Sequence, residues 1–159
     1  MDMNDPRLEK AREEFLDRVK KYDERMLTVI KNHLGCEQFL NQLLSVASRS
    51  WKRKKCAGKI EIAKNDLNLT EIEPNIWEVL EAGNTLRNKI AHGAEESVIA
   101  AKMADFRKAY LAALTPEQAK GSEGLDYMKI VVLAFGLCGG YLVVAAERLS
   151  KEKETKKAA

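Results

Sequence analysis

The chain has little of what a β-rich fold requires. Its 159 residues include three prolines and nine glycines, and no long stretch alternates apolar and polar residues as a half-buried strand would. These absences favour a mostly helical protein. The length fits one domain over residues 1–150. The remaining residues, 151–159, form a charged tail that we expect to be disordered.

Cysteine is also scarce, and it is scattered. The chain has three cysteines, Cys36, Cys56 and Cys138, which lie far apart and form no CxxC pair or Cys/His cluster. The chain also has no glycine-rich phosphate loop. We therefore expect no disulfide framework, no metal and no cofactor. The charged N-terminal segment lacks the apolar core of a signal peptide. The expected location is the cytoplasm.

Long uncharged runs are rare, but residues 130–146 carry no charge over seventeen positions. That is just under the roughly 20 residues that span a bilayer. Gly136, Gly139 and Gly140 interrupt the run, and Lys129 and Glu147 flank it. We interpret it as a fully buried core helix and expect no membrane association. Its glycines would let a neighbouring helix, or its symmetry mate, approach closely.

What the chain does have is helical periodicity. Asp5 and Pro6 predict a helix start, and the pattern then continues to Ala47 as one very long helix, or as two stacked pieces divided at Gly35. Further helices are predicted over about 59–67, 74–92, 94–114 and 125–149. The residues from Thr115 to Gln118 predict a capping box before a short turn. The sequence predicts an all-α bundle.

The predicted helix over 74–92 ends in a candidate site. Arg87 lies near the middle of its apolar stripe, where a charge is costly unless it is paired or given an anion. Gly93 is the usual residue just past a helix end, which places His92 at the C-terminus. Histidine exchanges protons near neutral pH. The apolar stripe comprises Ile76, Val79, Leu80, Gly83, Leu86, Ile90 and Ala91.

The hexapeptide over residues 87–92, Arg-Asn-Lys-Ile-Ala-His, resembles the Arg-x4–6-His signature of the HEPN superfamily, including the polar residue after the arginine. The resemblance in helix order covers residues 20 to 149. It implies a HEPN-like bundle that forms a homodimer and acts as a metal-independent endoribonuclease in toxin–antitoxin, phage-defence or RNA-processing systems. Arg87, Asn88 and His92 would be the catalytic residues. An antitoxin or a nucleotidyltransferase would be the partner of a toxin.

Metal-free RNA cleavage needs proton transfer and a stabilised phosphorane charge. His92 can transfer protons, and the planar fork of Arg87 can hold two phosphate oxygens. Asn88 would orient the imidazole or touch phosphate. Residues five apart lie roughly 140° apart on a helix, so Arg87 and His92 meet only if the helix unwinds or if a two-fold axis brings two motifs together. The family resemblance favours the two-fold axis.

A dense positive run precedes the motif helix, and it predicts RNA binding through phosphate contacts and base stacking. A solvated connector is the alternative. For the motif, the alternatives are that Arg87 pairs with a buried glutamate or caps carbonyls, and that His92 only terminates its helix. We expect His33 to be structural. The alternative function is a non-catalytic interaction or regulatory module that binds a nucleotide, RNA or protein partner in the same groove. The positive run comprises Trp51, Lys52, Arg53, Lys54 and Lys55.

Overall fold

The computed structural model describes residues 5–20 and 22–158. In these ranges it has seven α-helices, joined by turns and loops, and no strand. This confirms the all-α prediction. Helices α3, α4 and α5 lie within three residues of their predicted bounds. The helices are α1 (Pro6–Lys20), α2 (Glu24–Val46), α3 (Cys56–Asp66), α4 (Pro74–Ala91), α5 (Glu96–Ala112), α6 (Pro116–Ser122) and α7 (Tyr127–Ala158).

The first long helical pattern is divided at a different place from the one expected. α1 ends at Lys20, and α2 begins after Asp23, whose side chain accepts a 3.0 Å hydrogen bond from the Met26 N–H. α2 then runs through Gly35 without a break, so the structure has neither of the two expected alternatives, one unbroken helix or a division at Gly35. An N-cap satisfies a free backbone donor, whereas one glycine inside a helix costs only about 1 kcal/mol.

Helix α1 lies apart from the core. Pro6 is its first residue, and Asp5 accepts a 2.9 Å hydrogen bond from the Arg7 backbone N–H, as its N-cap role predicts. None of the residues from Pro6 to Lys20 is buried. The side chains of Phe15 and Val19 are 63% and 49% exposed, so this helix leaves its apolar side uncovered.

Helix α4 occupies the centre of the bundle and contacts α2, α3, α5 and α7. Its predicted apolar stripe is buried from Ile76 to Ile90, whereas Ala91 is exposed. A Cβ atom on Gly83 would lie 2.7 Å from two ring carbons of Phe135. Glycine is therefore what allows α4 and α7 to pack this closely.

Helix α7 continues to Ala158, nine residues past its predicted end. Side chains tie this extension to the rest of the fold. The Arg148 Nε lies 2.7 Å from a carboxylate oxygen of Glu71, and Arg148 also pairs with Glu152. Lys153 donates a 2.7 Å hydrogen bond to Ser48.

Within the described residues, α7 is the one helix that is long and apolar enough to cross a membrane by length and composition alone. Half of its most apolar 18-residue window is buried inside the bundle. The prediction of a fully buried helix is wrong for its other face, because Val132, Leu133 and Val144 are 49%, 45% and 56% exposed.

The predicted capping box forms at Thr115, but it begins the seven-residue helix α6 and not only a short turn. Thr115 accepts a hydrogen bond from the Gln118 backbone N–H, and the Gln118 side chain accepts one from the Thr115 N–H. This reciprocal pair satisfies two donors at the start of the helix.

Candidate functional site

Arg87 is a half-buried cation that lacks a carboxylate partner among the described residues. One of its terminal nitrogens donates a 3.0 Å hydrogen bond to the side-chain oxygen of its neighbour Asn88. Its Nε is buried and has no hydrogen-bond acceptor within the described chain. The hypothesis that Arg87 pairs with a buried glutamate is therefore wrong for this structure. A buried donor without an acceptor is costly, so the Arg87 guanidinium is poorly satisfied within this chain.

His92 lies at the other end of the motif and is exposed. It caps the C-terminus of α4, and its backbone N–H donates a 3.0 Å hydrogen bond to the Asn88 carbonyl. Gly93 follows with φ of +66°, the left-handed conformation that ends many helices. His92 is thus placed as predicted, with its imidazole open to solvent.

The helix between Arg87 and His92 is intact. Hydrogen bonding of the α-helical kind reaches His92 itself, so α4 does not unwind to bring the two side chains together. Because five residues turn a helix by roughly 140° beyond a full circle, Arg87 and His92 of one chain point in different directions. Unwinding of α4 therefore does not bring Arg87 and His92 together within a single chain.

Asn88 has a different contact from the one expected. Its side-chain oxygen accepts a hydrogen bond from Arg87. This bond orients the guanidinium rather than the imidazole. The polar residue directly after the arginine thus fixes the direction of the arginine itself.

A cluster of polar side chains lies beside Arg87, between α2, α3 and α4. We call His33, Glu37, Cys56, Lys59 and Asn84 the interior polar cluster. The Lys59 ammonium lies 2.7 Å from a carboxylate oxygen of Glu37, and the Cys56 sulfur lies 3.6 Å from His33 Nε2. Asn84 lies one turn before Arg87 on α4, and the charge of Arg87 lowers the pKa of both His33 and Cys56.

His33 is 3% exposed and packs its ring edge-on against Phe135, with the ring centroids 5.8 Å apart. Burial lowers its pKa, as do the charges of Arg87 and Lys59, while Glu37 and Asn84 act in the opposite direction. Its Nδ1 has no hydrogen-bond partner of good geometry in the described structure. A neutral, enclosed imidazole agrees with the expected structural role.

The cysteine thiols are free, and burial raises the pKa of both Cys36 and Cys56 to about 12. A thiol with such a pKa is protonated at neutral pH and is a poor nucleophile. No group of three or more His, Cys, Asp or Glu side chains in the described ranges is arranged to hold a metal ion.

The positive run lies in the turn between α2 and α3. Lys52, Arg53, Lys54 and Lys55 are all exposed. The run ends directly before Cys56, so its last residue adjoins the interior polar cluster and the guanidinium beside it.

Trp51 and Lys59 are less accessible to an RNA ligand than the four exposed cations. The Trp51 indole N–H donates a 2.7 Å hydrogen bond to the Ser45 hydroxyl, and the Lys59 ammonium lies 5.2 Å from the centroid of the Trp51 ring. Trp51 is half-buried, and Lys59 is buried against Glu37. In this structure the indole is engaged with the protein itself.

Sequence reasoning missed the interior polar cluster as a unit. Two signals could have pointed to it. His33 and Glu37 are four residues apart on α2, and Asn84 precedes Arg87 by three residues on α4, so each pair shares a helix face. The pairing of the two faces with α3 depends on tertiary packing, which one sequence does not show.

No protein-family model, curated protein or solved structure matches this chain.

Proposed function

We propose that this protein is a metal-independent endoribonuclease of the HEPN type that acts as a homodimer. The observation that carries the proposal is the Arg87 guanidinium, which is half-buried, oriented by Asn88 and without a carboxylate among the described residues. A guanidinium held in this way is suited to binding two oxygens of a phosphate.

His92 supplies the proton chemistry in this proposal. Its imidazole takes the proton from the 2′-hydroxyl of RNA, and the protonated form returns a proton to the leaving 5′-oxygen. Arg87 stabilises the charge that develops on the phosphorane oxygens between these two steps. The products are a 2′,3′-cyclic phosphate and a 5′-hydroxyl.

The intact helix supports the dimer in this proposal. Because α4 remains helical up to His92, the two side chains can serve one phosphate only if they come from different copies of the motif. A two-fold axis near the end of α4 would supply that arrangement. Lys52, Arg53, Lys54 and Lys55 would guide the RNA through phosphate contacts. As a toxin, the protein would act in the cytoplasm with an antitoxin or nucleotidyltransferase partner.

The direct test is incubation of the purified protein with mixed RNA in the presence of EDTA. We expect cleavage that leaves 2′,3′-cyclic phosphate ends, and we expect Arg87→Ala and His92→Ala to abolish it. Lys89→Ala is the matched control, because Lys89 is exposed within the same motif and should retain activity.

Two outcomes would overturn this proposal. Cleavage that disappears with EDTA would indicate a metal-dependent reaction. If wild type and His92→Ala are equally inert on RNA and both still bind a nucleotide, RNA or protein partner, the protein is a non-catalytic binding module.

A further inference from the structure

Helix α1 is an amphipathic helix without a partner. Its apolar side carries Leu8, Phe15, Leu16 and Val19, and Phe15 and Leu16 are 63% and 43% exposed. The helix has 15 residues, and an isolated helix of that length is marginal in water. Stable folding of α1 therefore requires a surface that covers this side.

An open apolar trough on the bundle has the complementary form. It lies between α2 and α7 and encloses about 560 Å³. A Cβ atom added at Gly35, Gly136 or Gly140 would meet no other atom within 4 Å, so the glycines leave this trough unfilled. We call it the α2/α7 groove; its main lining residues are Gly35, Phe39, Gly136, Gly139, Gly140 and Val144.

The groove is long enough to receive part of α1. On α7 it is lined from Phe135 to Val144, and Gly136 and Gly140 form a row of small residues there. At 1.5 Å per residue this stretch is about 14 Å long, which fits about nine of the 15 residues of α1. Small residues in such a row allow a second helix to approach closely.

Helix α1 does not occupy the α2/α7 groove of its own chain. Lys20, at the end of α1, faces the turn between α4 and α5, in a pocket that also includes Asp23, Gly93 and Glu96. α1 thus ends beside the residues that follow His92, while its apolar side remains exposed.

We infer that α1 of one copy docks in the α2/α7 groove of a second copy, and that the exchange is reciprocal in a two-fold dimer. The inference deepens the dimer of the proposed function and rests on it. A two-fold dimer forms this contact twice, which covers both unpartnered apolar surfaces of each chain. It also ties the partner to the turn that follows His92.

The test combines the mass of the full chain in solution with an inter-chain cross-link. By light scattering at micromolar concentration we expect wild type to be a dimer. Phe15→Asp with Val19→Asp, which alters the arm, and Gly136→Leu, which fills the groove, should each give a monomer. Val98→Asp is the matched control, because Val98 is an exposed apolar residue on α5, outside both surfaces, and this variant should remain a dimer.

A photo-cross-linking residue at position 15 identifies the contact. In a mixture of isotope-labelled and unlabelled chains, we expect mixed-mass peptides that join position 15 to residues 136–144. Cross-links within one chain only, cross-links between two copies of α1, or a monomer that binds phospholipid vesicles through α7 would each overturn the inference. Far-UV circular dichroism checks that the variants fold. An RNA-cleavage assay on the same samples separates the two proposals, since an arm-exchanged dimer that leaves RNA intact contradicts only the nuclease.

Discussion

Arg87 and Arg107 are both half-buried arginines, but their surroundings differ. The guanidinium of Arg107 donates hydrogen bonds to the backbone carbonyls of Leu125, at 3.0 Å, and of Glu123. It thereby fastens the segment between α6 and α7 to α5. The guanidinium of Arg87 has only its neighbour Asn88 as a partner in the described structure. We interpret Arg107 as structural and Arg87 as a residue kept for a ligand.

This contrast predicts opposite effects on stability. Arg107→Ala should lower the free energy of unfolding by about 1–3 kcal/mol, because two carbonyls lose their donors. Arg87→Ala should change it by less than about 1 kcal/mol, and towards higher stability, because a poorly satisfied charge leaves the interior. Urea unfolding of both variants measures the difference. A loss for Arg87→Ala as large as that for Arg107→Ala would show that Arg87 is structural.

His33 predicts a pH dependence of stability. Burial lowers its pKa from the ordinary value of 6.5, so the unfolded chain takes up a proton at a higher pH than the folded chain does. The contribution of His33 to the free energy of unfolding should therefore be constant well above pH 6.5 and decrease as the pH falls through that value. Urea unfolding between about pH 7.5 and about pH 5 follows this change.

His33→Gln should remove that slope, and His92→Gln is the control because it leaves His33 in place. The chain has only these two histidines, so the pair of variants separates their contributions. The interpretation fails if the slope survives in His33→Gln.

At the same scale, the sequence revealed the position of each motif residue better than its contacts. Helix periodicity and Gly93 located Arg87 in a buried stripe and His92 at a helix end. They did not reveal that Asn88 turns towards Arg87 or that His33 lies beside the guanidinium. Such contacts depend on how α2, α3 and α4 pack, and no local pattern records that packing.

At the scale of elements, residues that begin a helix predicted helix boundaries better than glycines did. The Thr115 capping box stands at the start of α6, because a cap satisfies backbone groups locally. Pro74 stands at the start of α4, where its fixed φ suits the first helical residue. Gly35 was a misleading sign of a break, and the cap at Asp23 was overlooked. The exposed face of α7 was missed for another reason. Where every position in a helix is apolar or small, the pattern cannot tell a buried side from an exposed one.

The turn between α2 and α3 carries a prediction of its own. If its four exposed cations guide RNA, Lys52→Glu with Lys54→Glu should weaken RNA binding and flatten its salt dependence. The slope of log K against log salt should fall by about 0.7 for each phosphate of a single strand that the variant no longer neutralises. Fluorescence anisotropy with labelled RNA at several salt concentrations measures both quantities.

Reversal of two other exposed lysines, Lys108→Glu with Lys120→Glu on α5 and α6, is the control for net charge. It changes the total charge by the same amount at a different place. Equal effects from the two pairs would mean that the turn acts only as part of the overall charge and not as a binding path.

At the scale of the whole molecule, the structure of one chain leaves two features incomplete. Arg87 and His92 point apart around an intact helix, and the apolar side of α1 faces solvent together with the α2/α7 groove. In the proposed dimer, a second copy related by a two-fold axis would resolve both features at once. The central claim is therefore that the catalytic pair is assembled from two chains.

Complementation between two inactive variants tests this claim most directly. Arg87→Ala and His92→Ala chains, each inactive on RNA alone, are mixed and allowed to exchange subunits in EDTA. Half of the randomly formed dimers are mixed, and each mixed dimer holds one site with both Arg87 and His92, so about a quarter of wild-type activity should return. A mixture that stays as inactive as either variant, while wild type cleaves the same RNA, would contradict a site shared between two chains.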